Sequence, residues 1–233
     1  MSLSTAAKDT VMATPELLAL VLVQLPLRDL LLRAPLVCKM WHATTLTPAL
    51  QRALFFAPDL DPFSDSVAAP VRNPLLAELF PPFFTTPGPN RWSWPDAHAL
   101  MAMPCASALA AFRRPDASWR RMLVAQPPPH TMHLIQKCHA RGGDRERRAE
   151  LRGLELRMGP LYDLAVQFLE RVTSQVCITW HEGVDRKADL TLETVYTVQC
   201  VGGRAGPLRE GFYGHGQGPR PEFGEWVHVE RAS

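Results

Sequence analysis

Apolar positions crowd the stretch 15–55 in a helical rhythm that prolines interrupt. Leu17, Leu18, Val21, Leu22 and Leu25 recur at i, i+3 and i+4 spacing and predict an amphipathic helix with one apolar face. Leu20 and Val23 point elsewhere around the same helix and are apolar too. Thr14 takes the N-cap position, where its hydroxyl can accept from a free backbone N–H. Pro15 takes the first helical position, where a missing N–H costs nothing. Glu16 meets the positive end of the helix dipole. Pro26 ends this helix, since it cannot donate to the preceding turn and disfavours helical geometry at Leu25. Asp29 opens a short second helix that holds Leu30, Leu31 and Leu32, and Pro35 breaks the chain again. Leu36, Val37, Met40 and Trp41 then predict a third helix with an apolar stripe, in which Cys38 serves as a small hydrophobe. Thr47 and Pro48 repeat the cap-plus-proline signature before 49–55.

A helix that is apolar nearly all round must be covered on more than one side. This one is too short for a bilayer, which takes about 20 apolar residues. A unit of roughly 40 residues stands at the lower limit of independent folding. Each Leu or Val left in water forgoes about 1.5–3 kcal/mol. The surplus therefore has two destinations: the rest of this chain, or a partner.

Beyond residue 57 the pattern changes. The segment 57–115 is broken by prolines, yet it carries Phe80, Phe83, Phe84, Trp92 and Trp94, and plain linkers are poor in aromatics. An ordered, irregular segment is expected, with a helix near 75–79 and aromatics that pack on the domain after it. A short helix capped by Asp116 is predicted over 116–124, carrying Trp119, Met122 and Leu123 and ended by Pro127, Pro128 and Pro129. Met132 and Leu134 alternate with His133 and Ile135, a strand pattern over 131–137. The charged run 141–148 reads as a loop grading into a helix. Leu161, Leu164, Ala165, Phe168, Leu169 and Val172 have helical spacing. Val176, Ile178 and Trp180 alternate as a strand, and Leu190, Leu192, Val195, Tyr196 and Val198 form its antiparallel partner across a connector at 183–187. The Gly-rich stretch 202–218 reads as a mobile loop, and 225–230 as a last strand closing the sheet. The expected class is α+β: a disordered N-terminus (1–10), a three-helix module (11–56), the irregular Pro-rich segment (57–115), and a small α+β domain with an antiparallel sheet (116–233). No internal repeat of solenoid or propeller length is present.

Composition narrows the functions. At 46% hydrophobic the chain is globular in character, and its formal net charge of +2 gives no general reason to bind nucleic acid or an anionic membrane. The first ten residues lack an apolar signal core, so no secretory leader is expected. Cys38, Cys105, Cys138, Cys177 and Cys200 are an odd, widely spaced set that reads as reduced thiols in the cytoplasm or nucleus. His130, His133, Cys138 and His139 are zinc-type ligands, but Cys138 and His139 would point to opposite faces of a strand. His181 and Glu182 could do acid–base work, though a solvated hairpin edge accounts for them. No G-x-S-x-G and no phosphate-binding glycine loop occurs. Arg141, Arg145, Arg147, Arg148, Arg152 and Arg157 are interleaved with Asp144, Glu146, Glu150 and Glu155, which cancels the field a phosphate backbone needs. No enzyme, cofactor, metal, nucleic acid or membrane role is expected.

One resemblance gives the N-terminal module a role. Pro15-Glu16-Leu17-Leu18, Val21-Leu22, Leu25-Pro26, Asp29-Leu30-Leu31 and Val37-Cys38-Lys39-Met40-Trp41 keep the order and spacing of an F-box. The segment 11–56 thus resembles that family over about a fifth of the chain. Where many F-boxes open with Leu-Pro, this chain has Ala13-Thr14, which weakens one expected contact at the edge of the docking surface. The stretches 73–80, 117–123 and 161–164 are similar to blocks of short fungal-type F-box proteins. The resemblance implies that the module binds the Skp adaptor of a cullin-based (SCF) ubiquitin ligase and that the remainder recruits a protein substrate for ubiquitination. It also implies no catalytic residue in the module. The adaptor-binding set it implies is Pro15, Leu17, Leu18, Val21, Leu22, Leu25, Pro26, Leu30, Leu31, Val37, Cys38 and Trp41. A non-degradative scaffolding role, or an enzyme or metal site in the C-terminal domain, are the alternatives.

Overall fold

The computed structural model describes residues 10, 12–59, 70–86, 88, 94–104, 109–112, 114–140, 143–169, 174–181, 188–197 and 220–229. The chain divides into two compact units, Met1–Leu60 and Asp61–Ser233.

In the first unit, proline sets the element boundaries. Helix α1 spans Pro15–Leu22 with proline at its start, α2 spans Leu27–Leu32 directly after Pro26, and a 3-10 turn at Ala34–Leu36 contains Pro35. Helices α3 (Lys39–Thr45) and α4 (Pro48–Ala53) follow. Thr14 and Thr47 hold the extended N-cap backbone but make no side-chain cap. Their hydroxyls instead donate backward, to the carbonyls of Thr10 and Thr44, each at 2.8 Å. The third helix is shorter than its apolar stripe predicts. Leu36 lies in the 3-10 turn, and Cys38 is an extended N-cap residue. α1 packs on α3 and α4, and the 3-10 turn packs on α2 and α3. Leu18, Leu22, Leu30, Ala34, Leu50 and Leu54 form the core between them, with Leu25, Leu31, Met40 and Trp41 half-buried against it. Just past the end of α4, Phe55 has a φ of 61°, a strained value for a side chain of this size. The amides of Phe56 and Ala57 close the turn on the Gln51 carbonyl at 2.8 and 3.2 Å.

The second unit is built on a five-stranded sheet ordered β5-β6-β3-β4-β7, with a separate pair β1-β2. The strands are β1 (Val71–Arg72), β2 (Ala125–Gln126), β3 (Thr131–Ala140), β4 (Gly143–Arg152), β5 (Ser174–Trp180), β6 (Leu190–Thr197) and β7 (Val227–Val229). β3–β4, β5–β6 and β4–β7 are antiparallel, but β3–β6 is parallel. The expected all-antiparallel sheet is therefore a mixed one. Two antiparallel pairs, β3–β4 and β5–β6, meet side by side through the parallel pairing of β3 with β6. The charged run at 141–148 is a second correction, because its described part lies in strand β4, not a loop and helix. Its charges face register partners on β3: Glu146 opposite Lys137, Asp144 opposite His139, and Glu150 opposite His133. The opposite charges of Lys137 and Glu146 across the strand pair stabilise by roughly 0.2–1 kcal/mol.

The long helix of this unit, numbered α10 below, spans Met158–Phe168. It is buried along Leu161, Tyr162, Leu164, Ala165 and Val166 and packs on β5 and β6. The Pro-rich segment folds into short helices α5 (Pro74–Leu79), α6 (Pro81–Phe84), α7 (Ala97–Met101) and α8 (Leu109–Phe112). Asn73 caps α5, accepting from the amides of Leu75 and Leu76 at 3.1 and 3.2 Å. Its own amide group donates to the Leu123 carbonyl at 3.1 Å. Helix α9 covers only Ser118–Arg121 and starts after Ala117. Asp116 does not cap it and pairs with Arg114 at 2.7 Å instead. Phe80 sits at the centre of the aromatic core, 4.9 Å from Trp119, 6.1 Å from Phe112 and 6.3 Å from Tyr162 between ring centroids. At the far end, Arg147 lies over the rings of Phe223 and Trp226 at 4.5 and 4.7 Å, which fastens the last segment to the sheet. The N-terminal nine residues, Trp92, Val172, Glu182, the connector 183–187, Val198, the Gly-rich stretch 202–218 and Glu230 lie outside the described residues.

Candidate docking surface

The first unit sorts its apolar residues into two populations. Leu18 and Leu22 lie one turn apart on the inner side of α1 and are fully buried, as is Leu30 from α2. Leu17, Leu20, Val21 and Gln24 fall at i, i+3, i+4 and i+7 on the opposite side, and all are exposed, Leu20 to 66%. A second group stands around the start of α3: Leu32, Leu36 (82% exposed), Val37 and Cys38. Val23 and Leu46 are exposed as well. Among its described residues the unit thus exposes more large aliphatic side chains than it buries. Single exposed apolar residues are ordinary, but a concentration of this kind makes the region a candidate docking surface.

Of the twelve residues the sequence singles out for docking, Leu18, Leu22 and Leu30 are consumed by the unit's own core. Leu25, Leu31 and Trp41 lean on that core and are half-buried. Pro15, Leu17, Val21, Pro26, Val37 and Cys38 are exposed. Cys38 is exposed at the extended N-cap of α3 rather than within that helix's apolar stripe. Leu20, Val23, Leu32, Leu36 and Leu46 complete the surface and are absent from the expected set. Their signal was present as apolar residues off the main stripe, but a helical wheel alone does not say which side is covered.

The second unit carries the other candidate chemistry, and the structure scatters it. His133 faces Glu150 at 3.7 Å and His139 faces Asp144 at 2.8 Å, while Cys138 is buried on the other side of β3 and His130 is exposed. Among the described residues no three His, Cys, Asp or Glu side chains converge as metal ligands would. His181 Nε2 bonds the Thr191 hydroxyl at 2.8 Å. It borders a small groove of about 120 Å³ whose walls include Pro70, Arg72, Pro128, Trp180 and Asp189. The Trp180 indole donates to the Phe83 carbonyl at 3.0 Å and stacks on Phe84. The Asp189 carboxylate accepts from the amides of His130 and Thr131, so this corner is rigidly tied. The Arg152 guanidinium holds the Glu150 carboxyl below its usual range, and Arg147 is engaged by Gln136 and two rings. These arginines are occupied by partners within the fold. Among the described residues no helix is long and apolar enough to cross a membrane.

No protein-family model matches this chain, and no curated protein and no solved structure does so either.

Proposed function

We propose that the chain is an F-box-type receptor. Its first unit docks the Skp adaptor of a cullin-based ubiquitin ligase, and its second unit presents a protein substrate for ubiquitination. The ligation chemistry belongs to other subunits, and this chain supplies proximity. The observation that carries the reading is the exposed apolar side of α1 together with the exposed group around the start of α3. Both lie within the segment whose Pro-Glu-Leu-Leu, Leu-Pro and Val-Cys-Lys-x-Trp steps keep F-box order and spacing. On this reading the docking set is Leu17, Leu20, Val21, Leu36, Val37 and Cys38, with Pro15 and Pro26 at its margins; the exposure of these residues supports it.

The test is capture of the Skp adaptor by the full chain and by a Leu17→Asp, Val21→Asp double variant. Both positions are exposed, so helicity by circular dichroism should be unchanged. Losing two apolar contacts removes about 3 kcal/mol or more, roughly a hundredfold in affinity. Capture that falls by that order supports the reading. Equal recovery with both proteins overturns it.

A further inference from the structure

Of the 25 lysine and arginine residues, four are lysine: Lys8, Lys39, Lys137 and Lys187. Lysine is among the commonest residues of ordinary globular chains, and for bare solubility either cation serves. They differ in one chemical respect. A lysine amine can accept ubiquitin, whereas the always-charged guanidinium of arginine cannot. Among the described residues, arginine occupies several highly exposed positions. Arg33, Arg114, Arg148 and Arg152 have side chains between 65% and 80% exposed.

The two described lysines are placed with the same effect. Lys137 stands on β3 with Nζ 2.6 Å from Glu193 and 3.8 Å from Glu146, its side chain 29% exposed. Lys39 is exposed, but it opens α3 beside Val37 and Cys38, within the docking surface. A docked adaptor covers it.

We propose that the chain is depleted of acceptor amines so that the ligase it assembles modifies the substrate and spares its own receptor. This regulation rests on the F-box reading above. The reaction avoided is attack by a lysine Nζ lone pair on the thioester joining the ubiquitin C-terminus to a conjugating enzyme's cysteine. An isopeptide C–N bond forms, the C–S bond breaks, and the cysteine leaves as a thiol with the amine's proton. Arginine at the exposed positions removes the nucleophile. The Glu193–Lys137–Glu146 bridge and the docked adaptor withhold the two described amines.

The experiment assembles the full chain with Skp adaptor, cullin–RING ligase, ubiquitin-charged conjugating enzyme and ATP, and maps ubiquitin remnants by mass spectrometry. Adaptor capture is measured first. The wild-type complex is expected to carry no remnant on Lys39 or Lys137. An Arg114→Lys, Arg148→Lys, Arg152→Lys variant keeps the positive charge at each site but gives up the forked contacts to Asp116 and Glu150. These side chains are far more exposed than that of Lys137, so the variant is expected to raise total self-modification at least fivefold, with remnants at the new lysines. If that variant is modified no more than wild type, the arginine bias is compositional drift and the inference is overturned. A remnant on Lys39 or Lys137 in the adaptor complex overturns it equally, with the docking reading intact. A chain that captures no adaptor refutes the proposed function itself, and this regulation with it.

Discussion

The buried pair Arg120–Asp163 is the sharpest energetic test of the second unit. Arg120 donates from Nη2 to Asp163 Oδ2 at 2.6 Å, with side chains 5% and 4% exposed. It joins α9 to α10, and the guanidinium also lies 5.0 Å from the Trp119 ring centroid. Its satisfaction is incomplete: Asp163 Oδ1 and Trp119 Nε1 are buried without a hydrogen-bond partner. A pair of this kind gains little over apolar packing, because desolvation offsets the attraction, whereas removing one member strands a buried charge. Asp163→Leu or Arg120→Met alone should therefore cost about 3–5 kcal/mol. For a chain of this size each kcal/mol lowers Tm by roughly 2–4 °C, so the singles should melt about 6–20 °C lower. The double variant should return to within about 1–2 kcal/mol of wild type, a large favourable coupling in a double-mutant cycle. Calorimetry on all four proteins measures it. Singles that lose less than about 1 kcal/mol, or a double that loses the sum of both, would refute the reasoning.

Two further outcomes follow from burial. Leu18→Ala should destabilise the first unit by about 2–5 kcal/mol, seen as faster amide exchange across 15–53, while Leu20→Ala should leave exchange unchanged and weaken adaptor capture; equal effects of the two on exchange would show that α1 does not bury the face described. Burial pushes the Cys177 thiol up, against a smaller opposing contribution from the Thr179 hydrogen bond, and Cys38 is exposed. Iodoacetamide at pH 8 should therefore modify Cys38 well before Cys177 by peptide mapping, and comparable rates would contradict the packing of β5. The raised thiol has a folded value above its unfolded one. Its contribution is complete below the thiol's ordinary value and is lost as pH rises through the raised folded one, so Cys177→Ala should flatten the alkaline fall in stability.

Much of the architecture was legible in the chain because local covalent chemistry writes it. Pro15, Pro26, Pro35 and Pro48 each fix φ and remove a donor, and the helix boundaries of the first unit fall beside them. The 3.6-residue rhythm at 161–169 and the alternation at 176–180 and 190–196 became α10, β5 and β6, since burial on one side imposes those periods. The run at 141–148 misled because it holds no apolar side chain: six of its eight residues are charged and two are glycine. Periodicity reads contrast between apolar and polar, and β4 holds its place through partners on β3 that are adjacent in space only once the hairpin has closed.

The candidate surface divides in the same way. That the segment 15–46 carries more apolar residues than a small unit can hide is determined by the sequence. Which of them face water was decided by the tertiary structure. Leu18 and Leu17 are alike in chemistry and adjacent in the chain, yet one meets Leu50 and Leu54 in a core while the other stands exposed. The parallel junction of β3 with β6 was likewise decided in space. The reason is common to both. A side chain's own bonds and neighbours set its local backbone, but its burial and its strand partners depend on segments that arrive from far along the chain, and no local pattern records which side they will cover.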